Sequence, residues 1–264
     1  MIRIINFKKY SSIKIGQEEE VLVIDENSTN LEEYTLIGGC NNTLISPNPP
    51  KLMMLSKEYD FIKIEDNLVK IGGATPSGKI ASFCKKHNVT NFEFLSHLPG
   101  KLGGLVFMNA GLKESEIFEH LVYVKTSLGY YEKKDIAFEY RKTDIKGIIF
   151  EVGFELSYGF DKQRVEYFAS FRKNQPSTPS AGSCFKNPNG DYAGRLIEAV
   201  GLKGMRVGGM EFSQQHANFL VNIQNGVYED AIFLIEEAQK RVFDTFGINL
   251  ECEVKILDEI KPMG

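Results

Sequence analysis

The sequence predicts an α+β protein in two parts. Short strand-like runs broken by glycine-rich turns fill the first half, helical periodicity takes over after about residue 160, and strict apolar/polar alternation returns after Gly247. The N-terminal stretch "MIRIINFKKYSSIKIG" alternates apolar and polar residues, and the runs "VLVID", "YTLIGG" and "NLVKIGG" read as strands. Next, "IGGATPSGKIASF" reads as a strand, a Pro-Ser turn with Ser77 as N-cap, and a helix burying Ile80, Phe83 and Cys84, with His87 at the same spacing. The stretch "LVYVKTSLGYYEKKDIAFEY" is hairpin-like, and "GIIFEVGFELSYG" puts Ile148, Phe150, Val152, Phe154 and Leu156 on one side at period two. Helical patterns follow at about 161–173, 192–200 and 227–246. The last carries an apolar stripe of Ala231, Leu234, Ile235, Ala238 and Val242 and ends at Gly247 as C-cap. In "INLECEVKIL", Ile248, Leu250, Cys252, Val254 and Ile256 point one way, while Asn249, Glu251, Glu253 and Lys255 point the other. The polar, proline-bearing "RKNQPSTPS" marks the change of character and the natural boundary.

The 264 residues suit one large α/β unit or two modest domains. With 42% hydrophobic and 25% charged residues, the composition is that of an ordinary globular protein. A formal charge of -4 speaks against a general grip on nucleic acid or anionic lipid, while leaving room for a local basic pocket that holds a small anion. No run approaches the ~18 apolar residues of a spanning helix, and the N-terminus has no signal-peptide pattern, so a cytoplasmic protein is expected, with no membrane or nucleic-acid partner. The four cysteines, Cys40, Cys84, Cys184 and Cys252, form no C-x-x-C pair, and the four histidines are equally scattered, so reduced thiols and no metal site are expected.

Gly73, Gly78 and Lys79 fit the phosphate-loop pattern G-x-x-x-x-G-K-[ST], but Ile80 stands where a hydroxyl must hold Mg²⁺. The strand-turn-helix reading needs no ligand. Three other glycine-rich segments carry more. In "LIGGCNNTLIS", bare backbone between two apolar runs can form an anion-binding nest or a plain hairpin turn. "LPGKLGGLVFMNAG" holds four glycines in fourteen residues, more than a turn demands, and looks like backbone laid against a flat ligand. In "SAGSCFKNP", Ser183 offers a hydroxyl, Cys184 a thiol, and Lys186 and Asn187 two anchors. In a strand Ser183 and Cys184 face opposite ways, so only one of them serves a given site. The dinucleotide fingerprint G-x-G-x-x-G is absent, so a Rossmann domain is not supported.

Taken in order, "IGGCNNTL", "LPGKLGGLVFMNAG", "YRKTD", "AGSCFKNP", "AGRLIEAVGLKGMRVGGMEFSQQHANFLVN" and "LECEVKIL" resemble the UDP-N-acetylenolpyruvoylglucosamine reductase family from about residue 10 to 257. The resemblance implies a two-part, non-Rossmann FAD-binding domain over 1–168, split near 60. A smaller α+β substrate-binding domain would follow over 169–250, with 251–264 returning to the first. It also implies non-covalent FAD, NADPH as co-substrate, and reduction of UDP-N-acetylglucosamine enolpyruvate to UDP-N-acetylmuramate for bacterial peptidoglycan by a monomer. Gly38, Gly39, Asn41 and Asn42 would line the FAD pyrophosphate, and Pro99, Gly100, Gly103, Gly104, Asn109, Ala110 and Gly111 more of the cofactor. Arg141 and Glu253 would polarise the substrate carboxylate, Ser183 would donate the proton, and Asn187, Lys203 and His216 would contact the nucleotide sugar.

The match has departures. Cys40 and Asn41 replace a glycine and a serine of the pyrophosphate loop, Thr143 stands for a serine, and His97 and Leu98 for Gly-Ile before Pro99. The chain is too short for the inserted substrate-covering segment of longer members, so the compact variant is expected. Two rival readings remain at this stage: another flavin oxidoreductase on the same cofactor domain, and an inactive nucleotide-sugar binding module.

Overall fold

The computed structural model describes residues 1–259. The chain divides into two compact units. The first comprises Met1–Ile2, Leu22–Gly39 and Leu52–Arg172; the second comprises Arg3–Val21, Cys40–Lys51 and the chain from Lys173 on. The chain thus crosses between units inside "IGGCNN", between Gly39 and Cys40.

The first unit is built on a five-stranded antiparallel sheet in the order Gly129–Glu132, Leu121–Thr126, Ile149–Glu155, Leu68–Gly72, Ile62–Glu65. The helices Ser77–His87 and Lys162–Arg172 share a core with this sheet. The first helix buries Ile80, Ala81 and Cys84 at helical spacing, while exposed His87 stacks on Phe83 with ring centroids 4.2 Å apart. Its cap is Pro76, one residue before the expected Ser77, because the proline ring already supplies the extended entry conformation.

The central strand Ile149–Glu155 departs from the one-sided reading. A register irregularity against Lys125/Thr126 lets Ile149, Val152 and Phe154 enter the helix-packed core, while Ile148 and Phe150 enter a second cluster with Ile24, Met53, Tyr59 and Ala74. The strand is buried on both faces, so single-face alternation could not describe it.

In the second unit, Ser180–Ser183, Phe219–Asn222, Met210–Phe212 and Arg206–Val207 form an antiparallel sheet in that order. The helices Ala193–Ala199 and Tyr228–Phe246 cover it. All five stripe residues of the long helix are buried, and Gly247 closes it with φ +67°, a conformation glycine adopts without strain. The N-terminal excursion is tied in by Asn222, whose Nδ2 donates to the Ile13 carbonyl at 3.0 Å.

The sequence sends 251–264 back to the first domain. In the structure Lys255–Leu257 pairs in parallel with Thr43–Ile45, within the second unit, and 260–264 lie outside the described residues. Leu250 and Val254 are buried while Ile248, Cys252 and Ile256 pack against the same core, as the alternation requires. Among the described residues no helix is long and apolar enough to cross a membrane.

Candidate active site

In the first unit the sequence "IGGATP" is a support. A Cβ on Gly72 would lie 2.0 Å from the Tyr59 carbonyl oxygen, and one on Gly73 2.1 Å from that of Ile149, so both glycines are packing necessities. This segment carries the glycine-rich 98–111. Gly103 N donates to the Gly73 carbonyl at 2.8 Å, Leu102 N to Thr75 at 2.9 Å, and Ser77 N to Gly100 at 2.9 Å. The segment is not extended throughout, because Leu102–Phe107 forms a short helix that buries Leu102, Leu105 and Val106.

Its glycines divide by what surrounds them. A Cβ on Gly103 would be tight against the Gly73 oxygen at 3.2 Å, and one on Gly111 would clash with the Ser115 oxygen at 2.5 Å. At Gly104 nothing lies within 4 Å, and at Gly38 only the Lys101 Cβ at 3.9 Å. Ala110 is buried in the core, while Pro99 is exposed and Gly39 and Gly100 are half-buried.

The hairpin Phe138–Glu139 and Lys142–Thr143 turns at Tyr140 and Arg141, and Arg141 adopts φ +58° there. Three side chains link this hairpin to 107–111. Arg141 donates through Nη1 to the Asn109 carbonyl at 3.3 Å and through Nη2 to the Gly111 carbonyl at 2.9 Å. Thr143 Oγ1 donates to the Phe107 carbonyl at 2.6 Å, and Asn109 Nδ2 to the Glu139 carbonyl at 3.2 Å. Asn109 is fully buried, yet its Oδ1 has no hydrogen-bond donor among the described residues. A buried acceptor left so costs about 1–3 kcal/mol. The free space beside Gly38 and Gly104 fits a flat ligand laid close to the main chain.

In the second unit the chain at 184–185, next to Ser183, pairs with the chain at 252–254, which carries Glu253. The carbonyl of Cys184 accepts from Glu253 N at 2.9 Å and from Val254 N at 3.3 Å, and Phe185 bridges Cys252. On the other side, Cys184 N donates to the Asn218 carbonyl at 2.7 Å. Asn218 then clamps Phe185 through Oδ1 at 3.0 Å and Nδ2 at 2.8 Å. Burial separates the two candidate proton donors. Cys184 lies in the core with its thiol pushed well above the ordinary range by burial, whereas Ser183 is half-buried. Simple alternation does not hold along this stretch, because the register shifts between Ser180 and Ser183 and Ala181 enters the same core as Cys184. Asn42 Nδ2 donates to the Glu253 carbonyl at 2.8 Å, and Lys255 N to the Asn42 carbonyl at 3.0 Å. The Asn42 amide is therefore engaged in fixing Glu253. Asn41 is held through its carbonyl, which accepts from Ser12 Oγ at 3.2 Å.

The remaining predicted residues gather at the helix Ala193–Ala199. Asn187 Oδ1 accepts from Ala193 N at 3.1 Å at the head of that helix, and the His216 Cε1 lies 3.3 Å from a Cβ position on Gly194. His216 Nδ1 accepts from Asn218 N at 3.3 Å, which leaves the ring proton on Nε2. Burial lowers its pKa; a backbone hydrogen bond pulls the other way, and the Lys203 charge adds to the lowering. Lys203 Nζ pairs with Glu198 at 2.9 Å. Arg141 belongs to the first unit, and Ser183, Glu253, Asn187, Lys203 and His216 to the second. Asn218 went unnoticed in the sequence, where an asparagine inside "QQHANFLVN" carries no signal of its two-sided clamp.

Residues 174–257 match the model of the UDP-N-acetylenolpyruvoylglucosamine reductase C-terminal domain. The chain is 48% identical over 258 residues to the UDP-N-acetylenolpyruvoylglucosamine reductase of Helicobacter hepaticus, covering 96% of this chain and 98% of that one. It is 49% identical over 259 residues to that of Campylobacter jejuni (strain RM1221), covering 96% and 100%. Its fold is similar to the crystal structure of UDP-N-acetylenolpyruvylglucosamine reductase from Thermus caldophilus, with a TM-score of 0.85 at 27% identity over 97% of this chain and 99% of that one. The fold and the relatives define an α+β oxidoreductase of compact length. The chain belongs to the UDP-N-acetylenolpyruvoylglucosamine reductase family.

Proposed function

We propose that this chain reduces UDP-N-acetylglucosamine enolpyruvate to UDP-N-acetylmuramate with NADPH, using non-covalent FAD, as a cytoplasmic monomer of bacterial peptidoglycan synthesis. The observation that carries this reading is 48% identity along almost the whole chain to a reductase of that name. The first unit would hold the flavin and the second the nucleotide sugar. Gly38, Gly39, Asn41, Asn42, Pro99, Gly100, Gly103, Gly104, Asn109, Ala110 and Gly111 are the cofactor-binding set. The open backbone at Gly38 and Gly104 supports it. Held there, FAD would supply hydride-transfer chemistry between NADPH and the terminal vinyl carbon of the substrate.

The protein's own residues deal with the charge that follows. Negative charge spreads onto the neighbouring carbon and its carboxylate, where the Arg141 guanidinium and Glu253 would polarise the carboxylate. Ser183 gives its proton to that carbon and regains one from solvent. The buried Cys184 thiol, held protonated and turned into the core, is left out of this transfer. Asn187, Lys203 and His216 bind the nucleotide sugar, with Lys203 as a point charge and His216 as a neutral Nε2–H donor. NADPH and the sugar would bind in turn, which gives ping-pong kinetics.

Anaerobic half-reactions test the reading. The purified protein should take up FAD and turn yellow, bleach with NADPH, and regain its colour with the enolpyruvyl nucleotide sugar while UDP-N-acetylmuramate accumulates. A protein that stays colourless in excess FAD would remove the proposal.

A further inference from the structure

The helix Ala193–Ala199 runs into a tight turn in which Gly201 and Gly204 adopt φ +73° and +77°. Gly201 N donates to the Glu198 carbonyl at 3.0 Å and Leu202 N to the Ile197 carbonyl at 3.1 Å, and the Leu202 side chain is fully buried. The buried leucine pins the turn. Lys203, next along the chain, leaves the core, and its Nζ reaches back to Glu198 Oε1 at 2.9 Å. Among the described residues neither side chain has another hydrogen-bond or ion-pair partner.

This pair is open to solvent, with the Lys203 side chain 31% and the Glu198 side chain 57% exposed. An ion pair so exposed adds little to stability, and the turn is already held by Leu202 and its backbone hydrogen bonds. Its place on the helix points elsewhere. Gly194 and Glu198 are four residues apart and share one helix face, and the His216 ring lies against that face, with Cε1 3.3 Å from a Cβ position on Gly194. The Lys203 charge is felt at His216. Glu198 therefore holds the Lys203 ammonium on the helix face that His216 covers.

We infer that Glu198 is a positioning residue acting through Lys203: its carboxylate keeps the ammonium on the His216 side of the helix and competes for it with the diphosphate of the nucleotide sugar. This rests on the reading above that Lys203 contacts the nucleotide sugar. A diphosphate carries more charge and more acceptor oxygens than one carboxylate, so it can displace Glu198 from Lys203. A ligand without phosphates cannot, and the ion pair stays closed against it. When the product leaves, Glu198 takes Lys203 back.

Isothermal titration of UDP into the FAD-loaded full-length protein tests the inference for E198Q, K203M and the double variant, at about 0.15 M salt so that distant charges are screened. E198Q should bind UDP about two- to fivefold tighter, the size of one exposed ion pair no longer broken on binding. The KM for the enolpyruvyl nucleotide sugar should fall by a similar factor with no rise in kcat. K203M should weaken UDP, and E198Q added to K203M should give less than about half the gain it gives alone. A role confined to folding would lower Tm and leave UDP no more tightly bound. UDP held no tighter by a folded E198Q would overturn the inference, and so would an equal gain in both backgrounds, which would reduce Glu198 to a general field effect. K203M binding UDP as tightly as the unaltered protein would instead remove Lys203 from the nucleotide-sugar site, refuting the reading and the inference with it.

Discussion

Replacing Gly104 with alanine separates a glycine kept for folding from one kept for a ligand. Gly104 lies within the helix Leu102–Phe107, and an added Cβ there meets nothing within 4 Å. In the flavin-free protein the substitution should therefore stabilise by ~0.4–1 kcal/mol through the lost flexibility of the unfolded chain. For a chain of this size that is a rise of about 1–2 °C in Tm. If the open backbone at Gly104 is where the flavin approaches, the same methyl obstructs binding. At a free FAD concentration one hundred times Kd, the unaltered protein gains ~2.7 kcal/mol from the ligand, and a tenfold loss of affinity cuts that to ~1.4 kcal/mol. Differential scanning fluorimetry with and without FAD reads both effects, with a flavin-induced rise of about 5 °C falling to about half. The two changes have opposite sign, which no general destabilisation can imitate. An alanine variant with the same flavin-induced rise as the unaltered protein would refute the assignment of Gly104 to the cofactor.

Two other outcomes follow from the second unit. Asn42→Ala removes the 2.8 Å bond from Nδ2 to the Glu253 carbonyl. It should lower stability by ~0.5–1.5 kcal/mol and slow flavin reoxidation by the enolpyruvyl substrate more than flavin reduction by NADPH; stopped-flow traces in which only flavin reduction is slowed would contradict this. His216 has its pKa lowered below 6.5, chiefly by burial, so the unfolded chain takes up a proton that the folded one resists. The associated stability is present above about pH 6.5 and is lost as pH falls through the lower folded value. Thermal melts of His216→Asn should accordingly decline less between pH 7 and 5 than those of the unaltered protein, and parallel curves would show that His216 does not titrate in this way.

Local periodicity made the helices legible. The expected ranges 161–173, 192–200 and 227–246 meet observed helices Lys162–Arg172, Ala193–Ala199 and Tyr228–Phe246. Period two also aligned Leu250 with Val254, but it does not describe Ser180–Ser183, where the register shifts and Ala181 and Cys184 enter one core. What depends on partners far away in the chain was not legible. The pairing of Thr43–Ile45 with Lys255–Leu257, and the Asn42 bond to Glu253 across 211 positions, are set by tertiary packing that leaves no mark in either segment alone. That the Asn42 side-chain amide is engaged on the Glu253 carbonyl could likewise not be read from "GGCNN". Ile149–Glu155 misled for a different reason: a strand covered on both faces carries apolar residues at nearly every position, and an irregularity in register redistributes them between two cores. In 98–111 the four glycines hide the short apolar run Leu105–Phe107, so the helix Leu102–Phe107 was not legible.

The claim on which the mechanism turns is that a serine, and not the adjacent thiol, protonates the substrate carbon. Single-turnover traces of both half-reactions for Ser183→Ala and Cys184→Ala test it directly. The serine variant should be reduced by NADPH at nearly the normal rate and be reoxidised by the enolpyruvyl nucleotide sugar about 10²–10⁴-fold more slowly. The cysteine variant should melt earlier while keeping both rates. Reoxidation lost in a folded Cys184→Ala, or slowed equally with reduction in Ser183→Ala, would contradict the account.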